Sequence, residues 1–244
     1  MANEHTKIIN KIAKEKFTPF GIVQKGRSRT WIDDNGWFTT IIEFQPSSYS
    51  RGSYLNVAVN FNWYEEDWES FDLSYHSDGS REGVYLNKYN PLNLFGRSIG
   101  WVDYEPENEE YFIKIIELYC DVAIKRVKYF RKKLATLRKA RRVILRTEFC
   151  SDELWGSYHK GTICGLTGWR FLQKRYYKRL LNEVRDAKLD FKIEARESVS
   201  RLITYDLNTF KEEIKKIITE TRKLKKLPEI EINLSDKNVE LMCR

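Results

Sequence analysis

Hydrophobic and polar residues follow two different periods along this chain, and the change between them predicts its organisation. In residues 1–106 apolar side chains recur mostly at every second position, the spacing of a strand with one buried face. In residues 107–244 they recur every three to four positions, the spacing of a helix with one buried stripe. The pattern predicts an α+β fold in which a mostly antiparallel sheet region, 1–106, packs with a helical region, 107–244, as two domains or as one.

The sheet region is predicted to begin with a helix and to continue as a hairpin. Residues 3–16 place isoleucines on one helical stripe. The dipeptide Asn35-Gly36 tolerates positive φ, so the strands on either side of it are expected to pair. Longer strands are predicted over 37–45 and 54–64. The aromatic side chains expected in the core are those of Trp31, Phe38, Phe44, Phe61 and Trp63.

The second face of these strands is unusually polar, and its composition depends on the turn at Gly36. With a three-residue turn, two arginines join a carboxylate and several amides on one surface that could recognise a small polar ligand or a peptide edge. With a two-residue turn, the arginines lie on the opposite face. The alternative to a ligand-binding face is that these polar side chains form the solvent-exposed side of a sheet with one buried face. The set is Arg27, Arg29, Glu43, Gln45, Asn56, Asn60 and Asn62.

A long helical pattern covers residues 108–144, as one helix or as two helices with a break between them. Its apolar stripe is expected to be buried within one chain, but a homo-oligomer formed through residues 112–144 is the alternative. The stripe consists of Ile116, Ala123, Val127, Phe130, Leu134 and Leu137.

The rest of the helical region is punctuated by glycines and capping residues. Several glycines predict a loop over 156–168 that leads into a helix over 169–187. Thr209, with a glutamate three residues later, matches a capping box and predicts the start of a further helix. Residues 190–205 fit a strand as well as a helix, and 229–234 alternate like a short edge strand.

Four short segments of the sheet region carry a resemblance to a known family. They are a Lys-Gly-Arg turn at 25–27, a Thr-Trp pair at 30–31, the strand Ile-Ile-Glu-Phe-Gln at 41–45 and Tyr-Leu-Asn-Val at 54–57. In these segments the chain resembles the family catalogued as domain of unknown function 4304, over roughly residues 1–106. The resemblance implies an α+β fold, with no established activity and no catalytic residue. The helical region lies outside it.

Charge is distributed unevenly between the two regions. Residues 1–106 carry 11 Lys and Arg against 14 Asp and Glu, and residues 107–244 carry 32 against 21. Between 125 and 146 there are 11 Lys or Arg and no acid. Such a run can neutralise phosphates of a nucleic acid or another polyanion, or it can be a solvated helix face paired in part with the acidic residues at 65–69. The candidates are Lys125, Arg126, Lys128, Arg131, Lys132, Lys133, Arg138, Lys139, Arg141 and Arg142.

Cysteine spacing and apolar run lengths exclude several classes of protein. No Cys-x-x-Cys pair occurs among the four cysteines, so we expect free thiols, no structural zinc site and no cofactor. The group Cys150, His159 and Cys164 lacks a fourth metal ligand. The longest apolar runs are too short for a membrane helix, and the first 16 residues do not resemble a secretory signal, which together predict a cytoplasmic protein.

Enzymatic interpretations of the sequence are weaker than binding ones. Asp33 or Asp34 with Glu43 loosely resembles the metal-binding carboxylates of a nuclease, and Cys164 beside His159 is the nearest thiol and base pair. The glycines at 161–168 lack the Lys-Ser ending of a phosphate-binding loop.

The sequence favours a non-enzymatic binding protein with a basic helical contact surface and a protein partner. The alternatives are a protein that binds DNA or RNA and, third, a divergent metal-dependent nuclease.

Overall fold

The computed structural model describes residues 4–46, 50–64, 73–76, 101–147, 149 and 152–234. This part of the chain contains helices and an antiparallel sheet, which confirms the predicted α+β fold. The side chains predicted to form the core are buried: Trp31, Phe38, Phe44, Phe61 and Trp63.

Six strands form the sheet in the described residues: β1 Val23–Gln24, β2 Thr30–Asp34, β3 Phe38–Gln45, β4 Gly52–Phe61, β5 Leu73–His76 and β6 Val102–Asp103. Their order is β1-β2-β3-β4-β5, and β6 pairs with the start of β4. The predicted hairpin joins β2 to β3. Its turn has two residues, because the Asn35 amide donates to the Phe38 carbonyl at 3.0 Å, and Gly36 adopts a φ of +80°.

Seven α-helices lie in the described residues: α1 Glu4–Phe17, α2 Glu109–Lys133, α3 Leu137–Ile144, α4 Ser157–Leu166, α5 Arg170–Glu183, α6 Asp190–Leu202 and α7 Leu207–Leu224. The pattern over 108–144 is therefore two helices. Thr136 has extended backbone angles and its side chain accepts a hydrogen bond from the Lys139 amide at 3.2 Å, so it caps α3 and fixes the break. The apolar stripe of this segment is buried within the single chain.

The described residues divide into two compact units that are not contiguous in sequence. The described residues of the sheet unit are 4–46, 50–60, 73–76 and 101–132, so this unit includes nearly all of α2. The helical unit contains 61–64 and the described residues from 133 to 234. This division differs from the predicted boundary at 106, because the long helix groups with the sheet and the end of β4 groups with the helices.

The segment predicted as a loop over 156–168 is instead α4, and all ten of its residues are buried. The glycines of α4 allow large side chains of neighbouring helices to pack directly against its backbone. A Cβ at Gly161 would lie 2.4 Å from ring atoms of Tyr177, and one at Gly165 would lie 2.5 Å from the ring of Phe210. Close approach of neighbouring side chains, and not a turn, therefore explains these glycines.

The structure decides one element that the sequence left open and corrects two others. Residues 190–205, left open between strand and helix, form α6 and the turn after it. Helix α7 begins two residues before Thr209, because the Asp206 side chain accepts from the Asn208 and Thr209 amides and is the actual cap. Residues 229–234 are in neither helix nor strand.

Candidate functional site

The predicted basic run is divided between the two units, and its sheet-unit part is largely used within the fold. Arg126 is buried, at 2% exposure. Arg131 donates to both oxygens of the buried Asp33 carboxylate and to the Phe20 carbonyl. The ammonium group of Lys128 lies 4.5 Å from the centre of the Phe20 ring. Among the described cations of the run in this unit, only Lys125 and Lys132 are exposed and make neither a hydrogen bond nor a ring contact.

The helical-unit part of the run lies on α3, which is strongly amphipathic. Leu137, Ala140, Val143 and Ile144 are buried, so they set the inner side of the helix. The remaining four positions of the helix are all cations, and three of them, Arg138, Lys139 and Arg142, are exposed. Helix α3 packs against the buried α4 through the apolar side. Its charged side therefore faces away from that core.

A second basic helix, α5, follows directly on Trp169 and was not among the predicted site residues. The buried residues of α5 are Gln173, Tyr177 and Leu180, spaced four and three apart. On the opposite side the exposed residues are Phe171, Lys174, Arg175, Lys178 and Arg179. The signal for this surface was present in the sequence, because every charged residue between 170 and 182 is a cation.

The junction between α4 and α5 brings the two basic helices together. Gly168 adopts a φ of +80°, its amide donates to the Gly165 carbonyl at 3.1 Å, and the Trp169 amide donates to the Cys164 carbonyl at 2.8 Å. This pair of bonds is a Schellman motif, which ends α4 and fixes the position of Trp169. The guanidinium carbon of Arg141 lies 3.9 Å from the centre of the Trp169 ring. The exposed residues of α3 and α5 are therefore linked by the contact between Arg141 and Trp169, the residue before α5.

We call this the α3–α5 surface. It consists of Arg138, Lys139, Arg141 and Arg142 of α3, Trp169, and Phe171, Lys174, Arg175, Lys178 and Arg179 of α5. Within the described part of the chain, no carboxylate lies within ion-pair distance of Lys139, Arg142, Lys174, Arg175 or Lys178. The cation at the start of α5, Arg170, is not part of the surface, because it donates to Gln173 and to the Tyr205 carbonyl.

The polar strand face does not assemble as predicted with a three-residue turn. The register places Thr30 opposite Glu43, so Arg29 points to the other face, with Phe44, and its guanidinium donates to the Gly52 carbonyl at 3.2 Å. The two-residue turn is the cause. Arg27 is exposed in the turn before β2. These two arginines therefore do not join the amide side chains.

The amides and the carboxylate of that face are partly brought together. The Asn56 side chain donates to Glu43 at 3.1 Å and to Gln45 at 2.7 Å. Asn56 and Asn60 are almost completely buried. Asn62 belongs to the helical unit, where it accepts from the Lys225 ammonium at 3.0 Å. Asn56 and Asn60 are therefore buried parts of this face, whereas Glu43 is partly exposed and Gln45 is exposed.

The carboxylates considered for a nuclease lie far apart on the hairpin. Asp34 is opposite Thr39, and Glu43 lies four residues farther along β3, about 13 Å at the rise of a strand. Asp33 is held by Arg131. Within the residues that the structure describes, no group of three or more His, Cys, Asp or Glu side chains could hold a metal ion.

His159 and Cys164 do not form a nucleophile and base pair. Five residues apart on α4, they point about 140° away from each other around the helix. Burial raises the pKa of the Cys164 thiol to about 11, which keeps it protonated at neutral pH. The Nδ1 atom of His159 accepts from the Trp63 indole at 3.0 Å. Cys150, the third member of the proposed metal group, lies outside the described residues.

The segment directly after β4, Trp63 and Tyr64, is held inside the helical unit by side chains from α4 and α7. Besides the bond from Trp63 to His159, Tyr158 donates to the Trp63 carbonyl at 3.1 Å and Thr221 donates to the Tyr64 carbonyl at 3.2 Å. Trp63 is completely buried. The polar residues of this region therefore have a structural role.

No family model, curated protein or solved structure matches this chain. None of the helices in the described ranges combines the length and apolar character needed to cross a membrane.

Proposed function

We propose that this chain is a non-enzymatic binding protein and that its α3–α5 surface binds nucleic acid. The observation that carries the proposal is the concentration of cations on two helices joined by the contact between Arg141 and Trp169. Lysine and arginine side chains that neutralise phosphates release condensed counterions, which is a major source of affinity for DNA and RNA.

The distribution of charge within the helical unit supports a polyanionic partner. Helix α3 contains four cations and no acid, and α5 contains five cations and a single acid, Glu183, in its last turn. A solvated helix face commonly alternates charges of both signs, which limits repulsion. An exposed surface of one sign attracts a ligand of the opposite sign.

The test is the salt dependence of binding to a labelled oligonucleotide, followed by fluorescence anisotropy. We expect measurable affinity at low salt and a linear fall of log K with log salt concentration. In the variant Lys174→Ala/Lys178→Ala the slope should become smaller by about 0.7–0.9 for each phosphate that the surface no longer neutralises. The matched control is Lys216→Ala/Lys223→Ala, which removes the same charge from exposed positions of α7 in the same unit.

Three outcomes would count against the proposal. One is no binding at low salt, and another is an equal loss of affinity in the α7 control. The third is tight retention of a protein partner whose affinity barely changes with salt, because a packed protein interface does not depend on counterion release. That last result would favour the protein partner predicted from the sequence.

A further inference from the structure

We infer that the α3–α5 surface selects single-stranded nucleic acid, because it presents aromatic rings for unpaired bases among its cations. This inference rests on the proposed function and names its substrate class. It depends on a different observation, the exposure of Trp169 and Phe171, so the inference can fail while the proposed function stands.

Phe171 is exposed to an unusual degree. Its side chain is 79% accessible, the largest value among the exposed large hydrophobic residues of the described chain. It lies in the first turn of α5, on the side opposite the buried Gln173 and Tyr177. The exposed phenyl ring contributes little to the stability of the fold, because its apolar surface stays in water.

Trp169 is half exposed and its position is fixed. The Schellman motif at Gly168 sets its backbone, and Arg141 covers one face of its ring at 3.9 Å. A guanidinium over an indole is attracted by the ring quadrupole and holds the ring in place. The indole is therefore a preorganised stacking element, and the guanidinium beside it remains a cation for a neighbouring phosphate.

The spacing of the rings and the cations suits a strand whose bases are accessible. Phe171, Lys174 and Lys178 lie on the same side of α5. Each is about one helical turn, or roughly 5.4 Å, from the next. Proteins that bind single strands combine a basic track for the backbone with aromatic rings for the bases. In a duplex the bases are already stacked and paired, so exposed rings beside the cations add no affinity unless a base is unstacked.

The experiment compares a labelled oligothymidylate with a labelled duplex of equal phosphate number, using the full chain and the variants Phe171→Ala and Trp169→Ala. We expect the wild-type chain to bind the single strand more tightly. Each alanine variant should weaken single-strand binding by about 5- to 100-fold, the value of one stacked base. Duplex binding should fall by a smaller factor than single-strand binding in each variant, and the salt dependence should be kept in Phe171→Ala, which removes no charge and leaves the contact between Arg141 and Trp169 in place.

Two controls make the result specific to stacking. Leu224→Ala removes an exposed apolar side chain from α7 and should leave both affinities unchanged. Phe171→Tyr keeps an aromatic ring and should retain single-strand affinity. Both sites are exposed, and thermal unfolding of each variant verifies that it is folded.

The outcomes separate the inference from the proposed function. The inference fails if the duplex binds as tightly as the single strand and Phe171→Ala changes neither affinity. Salt-dependent binding of both probes would still support the proposed function. If neither probe binds at low salt, both fail. An equal loss of affinity for both probes in the alanine variants would also overturn the inference, because it would show a role in general surface integrity.

Discussion

Arg131 donates from Nε to the buried carboxylate of Asp33 at 3.1 Å, across 98 residues of sequence. The carboxylate is only 2% exposed, whereas Arg131 is partly exposed. This pair connects α2 to the sheet within the sheet unit. It also removes Arg131 from the cations that could bind an external polyanion.

Replacing Arg131 with methionine is expected to destabilise the fold. The change leaves the Asp33 carboxylate buried without its guanidinium, and breaking a buried pair in this way costs about 3 kcal/mol in the free energy of unfolding. Urea denaturation followed by circular dichroism measures the loss. The neighbouring Lys132→Met, at an exposed position, should change the stability by less than about 0.5 kcal/mol. Similar values for the two variants would show that the pair has no structural importance.

Cys164 is expected to be inert towards thiol reagents in the folded protein. Its side chain is buried and its pKa is raised to about 11 by that burial, so the reactive thiolate is rare at pH 8. In a background with Cys150→Ser and Cys243→Ser, the chain should react with an aromatic disulfide reagent only after urea is added. Rapid reaction without urea would contradict the described burial.

The same thiol makes stability depend on pH in the alkaline range. Because its pKa is raised from an ordinary value of 9.0, the unfolded chain loses this proton first, and the stabilising contribution is present below pH 9 and lost as pH rises to about 11. In the same background, the free energy of unfolding should fall more steeply over this range with Cys164 present than in Cys164→Ala. Parallel pH profiles would show that the thiol does not titrate differently in the two states.

Gly161→Ala is expected to strain the packing of α4. The added Cβ would lie 2.4 Å from ring atoms of Tyr177, and overpacking of this kind costs about 1–3 kcal/mol. Denaturant unfolding gives the cost, and Ser200→Ala on an exposed position of α6 serves as the control. The same glycine substitution should cost less in a Tyr177→Leu background, because the ring is absent. An unchanged cost there would place the strain elsewhere.

Asp206 is expected to matter more for α7 than Thr209. Hydrogen bonds from Thr209 and from the Asn208 amide lower the pKa of the Asp206 carboxyl, so the cap stabilises the fold above the ordinary pKa near 3.8 and is lost as pH falls through the lowered value. Asp206→Ala should lower the melting temperature more than Thr209→Ala at pH 7. The difference between wild type and Asp206→Ala should shrink below pH 4, and a difference independent of pH would contradict the carboxylate's role.

The sequence predicted the fold where periodicity was strong. The alternation in β3 and β4 and the hairpin at Asn35-Gly36 follow from local preferences, whereas the break before α3 was left open. Prediction failed at α4, because glycine was interpreted by its backbone freedom. Here the glycines are required by the rings of Tyr177 and Phe210, which are distant in sequence.

The candidate site was only partly visible for a similar reason. The run of cations from 125 to 146 was clear, but no local pattern indicates that Arg131 reaches Asp33 or that Arg126 is buried. The contribution of α5 was missed because its cations are separated from that run by the whole of α4. Only the chain reversal at Gly168 brings Trp169 to Arg141.

The helical unit encloses residues 61–64 with side chains that come much later in the chain. Asn62 leaves the ribosome 163 residues before Lys225, to which it is hydrogen-bonded, and Trp63 emerges long before His159. Trp63 is completely buried in the folded unit, so its ring lacks part of its native surroundings until the helices of this unit have been translated. Native assembly of these contacts therefore requires that α7 and the residues up to Lys225 have been translated.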